Sequence, residues 1–156
     1  MILSTGIGNS STTEWLDQDL WGSFVRLNQY GTIGLKNGNT MEFQTHNENQ
    51  NIRSGLSGDY CFQGAVDCSY AKIIEVFGSS KDCTGSYKTD ASWDIMFGDG
   101  VFVEIYNYKS GKNYLKKDGE ETENIKHWHI MGTEERHAER IIEILNPSQK
   151  VRSCGV

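Results

Sequence analysis

The sequence predicts a single α+β domain, one antiparallel sheet with two flanking helices. Three observations carry that expectation. Apolar residues alternate on both sides of Asp99-Gly100, with Trp93, Ile95 and Phe97 before it and Val101, Val103 and Ile105 after it. That is the pattern of a hairpin with one buried face. Apolar residues recur at helical spacing in two other places, Ile73, Ile74 and Phe77, then Ala138, Ile141, Ile142 and Leu145. Seventeen glycines against one proline suit a chain with many tight turns, where positive φ is needed.

Residues 1–22 are rich in Ser and Thr, and Trp15, Leu16, Leu20 and Trp21 suggest a short helical turn capped by Thr13. From Phe24 to Thr45 the chain reads as a β-meander: Phe24–Leu27, then Thr32–Leu35, an Asn37-Gly38 turn, and Met41–Gln44 as the return strand. Asn-Gly tolerates the backbone of a type I′ turn, whose twist matches that of the strands. Residues 46–57 are polar and aperiodic, a loop. Tyr60–Val66 reads as a short strand, followed by a helix running to Phe77 with Asp67 or Ser69 as cap and Gly78 as stop. In the hairpin, Phe102, Glu104 and Tyr106 fall on the face opposite the buried one. Ile125–Ile130 is a further strand that puts His127 and His129 on one face and Trp128 on the other. A final helix begins at Thr133, carries Glu134 and Glu135 in its first turn, and ends before Pro147. The domain reading is thus a meander extension over 1–57, an α+β core over 58–147 and a loose tail over 148–156.

Composition excludes several classes of function. A net charge of −6 opposes non-specific binding to double-stranded nucleic acid, which requires a basic footprint. No run approaches the ~18 apolar residues of a membrane span. The chain opens Met1-Ile2-Leu3 and turns polar at once, unlike a secretory leader. Cys61, Cys68, Cys83 and Cys154 show neither CxxC nor zinc-like spacing, so reduced thiols in a cytoplasmic setting are expected. Cys68 at a helix start lacks the local signature of a nucleophile, and no GxSxG, P-loop or paired-carboxylate motif occurs. An enzyme is therefore disfavoured and no catalytic residue is assigned.

What remains is a dense polar-aromatic stretch. Tyr106, Asn107, Tyr108, Lys109, Lys112, Asn113 and Tyr114 combine stacking faces, amides and ammoniums within nine positions. His127 and His129 are added from the neighbouring strand. Two imidazoles on one strand face invite a metal, but nothing fixes a third ligand, so no metal and no cofactor is expected. These nine residues are the candidate binding surface, for a protein hot spot or a planar anion such as a nucleotide. An ordinary tyrosine-rich strand ending in a Gly turn at Ser110-Gly111 would carry the same letters.

Between Asp59 and Leu145 the chain carries Gln63-Gly64, Asp67, Ser69-Tyr70, Phe77-Gly78, Tyr87-Lys88-Thr89-Asp90, Trp93 and Asp99-Gly100. Ile105-Tyr106-Asn107-Tyr108-Lys109, Gly111-Lys112-Asn113-Tyr114 and Trp128-His129-Ile130 follow. In the order and spacing of these motifs the chain resembles a family of small uncharacterised proteins from tailed bacteriophages. Met131 stands where the family has the first Gly of its closing WHIGG. The resemblance implies a viral protein acting in the host cytoplasm, and brings no reaction with it. The function expected first is a non-enzymatic accessory protein that binds a host protein, for host takeover or anti-defence. A small-ligand binder that sequesters a nucleotide signal is the alternative. A hydrolase with an unrecognised site comes third.

Overall fold

The computed structural model describes residues 24–27, 30–34 and 40–149. The helical turn expected around Trp15, the Asn37-Gly38 turn and the tail beyond Gln149, with Cys154, lie outside the described residues.

Seven strands form one sheet: β1 (Phe24–Leu27), β2 (Tyr30–Gly34), β3 (Thr40–Thr45), β4 (Cys61–Asp67), β5 (Ser92–Phe97), β6 (Phe102–Tyr106) and β7 (His127–Gly132). Every strand pairing is antiparallel, in the order β1-β2-β3-β5-β6-β7-β4. The fold is α+β, as the alternation and the two helical stripes predict. The meander joins the rest edge to edge, with Phe43 opposite Phe97 and Thr45 opposite Ile95. α1 (Tyr70–Phe77) and α3 (Glu135–Leu145) supply the second layer.

Strand alternation sorts the side chains. Trp93, Ile95, Val103, Ile105, Trp128 and Ile130 point to the helical layer and are fully buried with Ile73, Phe77 and Ile141. Trp93 and Trp128 meet edge to face at 5.4 Å and grip the two ends of α1. The Trp128 indole N–H donates to the Cys68 carbonyl at 3.1 Å, and that of Trp93 donates to the Gly78 carbonyl at 2.8 Å. A buried indole needs such a partner. Ser69 caps α1 by accepting from the Lys72 N–H at 3.2 Å.

Three expectations are corrected. Phe102 is not on a solvent face: it is buried beneath Arg53, whose guanidinium sits 5.5 Å from the ring, and Tyr60, 5.3 Å away. The segment over 46–57 therefore covers one end of the sheet's second face, burying Ile52 as well. Thr133 does not cap α3. Glu134 takes the cap position without a side-chain bond, and the Thr133 hydroxyl lies 3.4 Å from His137 Nδ1 instead. Finally, β6 ends at Tyr106, and the expected Gly turn at 110–111 opens a short helix, α2 (Lys112–Leu115), followed by single turns at Lys116–Asp118 and Thr122–Asn124.

Candidate functional site

The uncovered end of the second face is built by register. Tyr106 on β6 lies directly opposite His129 on β7, and His127 lies opposite Asp67 on β4. Opposed residues of an antiparallel pair share a face, so the rings of Tyr106 and His129 stand 5.6 Å apart. For the same reason Asp67 Oδ1 reaches His127 Nδ1 at 2.6 Å. His127 and His129, two residues apart, meet edge to face at 5.6 Å. Phe62, 45% exposed, leans on His129 at 4.9 Å from the far side.

Past Tyr106 the chain is held by two side chains that turn inward. Asn107 is fully buried. Its Oδ1 accepts from the Asp90 and Ala91 N–H groups at 2.7 and 3.0 Å, and its Nδ2 donates to Asp90 Oδ2 at 2.9 Å. Asp90 Oδ1 in turn accepts from the Asn113 N–H at 2.8 Å, and Asn113 Nδ2 donates to the Thr89 carbonyl at 2.6 Å. These bonds stitch residues 89–91 to 107–113. They bring Tyr108 back over the open face, stacked on His129 at 5.6 Å and 6.4 Å from Tyr106.

Of the nine residues expected to form the surface, Tyr106, Tyr108, Lys109, Tyr114, His127 and His129 come together. Lys109 Nζ lies 5.0 Å from the Tyr108 ring and 5.1 Å from that of Tyr114. Asn107 and Asn113 are scaffold, their amides spent on backbone groups and Asp90. Lys112 is ion-paired with Glu121. Phe62, Asp67, Tyr87 and Lys88 join the site unannounced. Their place depends on which strands and loops become neighbours.

Tyr108 separates two open clefts. One, of about 460 Å³, is lined by residues that include Glu120, Lys126, His127 and His129; the other, of about 380 Å³, by residues that include Tyr87, Lys88, Tyr106 and Met131. Burial holds His129 below the ordinary histidine value, with the His127 charge acting the same way. Burial also raises the Tyr106 hydroxyl, helped by Glu104 and Tyr108. At Cys68, burial, with Asp67 nearby, pushes the thiol up to about 12, far from a reactive thiolate. The Asp67–His127 pair could orient an imidazole, but among the described residues no thiol or hydroxyl is hydrogen-bonded to that ring. No three His, Cys, Asp or Glu side chains converge as a metal set among the described residues, nor is any helix there long and apolar enough to cross a membrane.

No protein-family model, no curated protein and no solved structure matches this chain. The site must be read from its own geometry.

Proposed function

We propose that the protein is a non-enzymatic binding protein that docks a partner protein on the open end of its sheet. The partner we infer is a bacterial host factor, engaged for host takeover or anti-defence; that part rests on the resemblance to phage proteins. One observation carries the docking reading: Phe62, His129, Tyr108 and Tyr106 form a continuous chain of ring contacts between 4.9 and 6.4 Å on the sheet face opposite α1 and α3. Rigid aromatic area with polar tips is the material of interface hot spots, because it buries much surface for little lost rotamer freedom.

Affinity capture from bacterial lysate, with the parent and a Phe62→Ser, His127→Ala variant side by side, tests this reading. Both side chains are exposed, so the melting temperature should hold within a few degrees. Loss of even one hot spot worth ~2 kcal/mol weakens binding roughly 30-fold. The reading expects a bacterial protein retained in stoichiometric amount by the parent and lost from the variant. Equal retention by both proteins, or none by the parent, removes it.

A further inference from the structure

Lys109 has φ of +60°, a conformation that costs an ordinary side chain about 1 kcal/mol or more and that Gly or Asn takes more readily. Strain of this kind persists where the surroundings enforce it, and it clusters at binding sites. Here a backbone bond enforces it: the Lys109 N–H donates to the Lys88 carbonyl at 2.9 Å. The bond brings two lysines together at one ring, with Lys109 Nζ 5.0 Å and Lys88 Nζ 5.8 Å from the Tyr108 centroid. Neither ammonium is ion-paired among the described residues, whereas Lys72, Lys81 and Lys112 all are. In a chain of net charge −6, these two unneutralised cations meet at one tyrosine ring.

The neighbourhood supplies the rest of a ligand site. Tyr87, 64% exposed, packs edge to face on Tyr114 at 5.2 Å, and with Tyr108 it walls the 380 Å³ cleft. Ser86 and Thr89 place hydroxyl-bearing residues on the same wall, and Met131 adds an apolar surface. Glu104 also lines this cleft, but its carboxylate is engaged by Arg53 at 2.8 Å. The volume falls in the usual range for a small-molecule site. Ammoniums act as point charges for phosphate, and tyrosine rings stack on planar heterocycles.

We propose that the cleft lined by Tyr87, Lys88 and Tyr108, with Lys109 beside the Tyr108 ring, binds a nucleoside phosphate. The base lies against the tyrosine rings and the phosphate is drawn to the Lys88 ammonium, with Lys109 adding positive charge at the Tyr108 ring. This goes beyond the protein-docking reading, with whose ring surface the cleft shares Tyr106 and Tyr108 but neither Phe62 nor His129.

The test is an NMR titration of the pure, full-length protein with AMP, adenosine and inorganic phosphate, followed on backbone amides. AMP should give saturable shifts at Lys88, Tyr108 and Lys109, with a Kd on the order of millimolar or tighter, and bind at least tenfold more tightly than adenosine or phosphate alone. The Lys88→Gln, Lys109→Gln double variant should lose at least tenfold in AMP affinity while keeping the parent's amide pattern elsewhere. A single Lys109→Gln variant, expected to lose severalfold, serves if the double variant misfolds. Absence of saturation, adenosine binding as well as AMP, shifts centred on His127, or unchanged affinity in the lysine variants each overturns the proposal. No partner protein enters the titration, so its failure is separate from failure of lysate capture.

Discussion

At the scale of single residues, the strongest structural demand in the site falls on Asn107. Its amide serves two backbone N–H groups and one carboxylate at once. A buried donor left without a partner costs about 1–3 kcal/mol. Asn107→Ala should therefore lower stability by about 2–4 kcal/mol in urea titration, and Asn107→Asp should not rescue it, because a carboxylate cannot donate to Asp90. A midpoint within error of the parent would mean that water replaces the amide. Asn107 is also where sequence reasoning assigned a contact residue and the structure supplies a brace. An Asn between two tyrosines reads as an exposed strand edge. What turns it inward is Asp90, seventeen positions upstream, and a partner that distant leaves no periodic trace.

At the scale of elements, α3 is the part most fully written in the sequence, and it anchors the second layer. Ile141, buried at the centre of its apolar stripe, should cost about 2–5 kcal/mol when cut to Ala; an unchanged urea midpoint would make the helix an appendage. The strands of the hairpin and α1 were nearly as legible, since each rests on short-range periodicity. The sequence nevertheless left the cap open between Asp67 and Ser69, and it started the second meander strand two residues late, at Thr32 rather than Tyr30. The segment between Tyr106 and His127 was not. Its short helix and turns close around a parallel bridge between Gly111 and Glu120. That closure needs two glycines for space: a Cβ on Gly111 would collide with the Asp90 carboxylate, and one on Gly119 would meet the Gly111 carbonyl at 2.5 Å. The burial of Phe102 escaped for a related reason. Its cover comes from Tyr60 and from Arg53, the latter within 46–57, a polar stretch with no repeating pattern. The same holds for the site, where Tyr106, Tyr108, His127 and His129 could be placed on shared faces by counting, while Phe62 and Lys88 required the order of strands and loops.

At the scale of the whole molecule, three histidines shift in the same direction. His46, His129 and His137 all lie below the ordinary value of 6.5, chiefly through burial. The unfolded chain then binds more protons than the folded one as the medium is acidified, so stability is complete above about 6.5 and is lost as pH falls through that value toward the folded-state values. Urea midpoints at pH 7.5 and 5.5 should show the drop, and His137→Gln should reduce it; a flat profile would mean that the rings remain hydrated. The free side of β4 governs a different property, how the protein behaves at high concentration. Gln149 Nε2 donates to the Ala65 carbonyl at 2.8 Å, Gln149 Oε1 accepts from the Asp67 N–H at 2.8 Å, and Asn146 Nδ2 donates to the Asp67 carbonyl at 2.7 Å. Two amide side chains thus occupy the backbone groups that another molecule's strand would seek. Asn146→Ala with Gln149→Ala should leave a monomer at low concentration that scatters light on concentrating or on storage, while the parent stays clear. The end of the last helix would then act as a preservative, setting how long a stock solution remains usable.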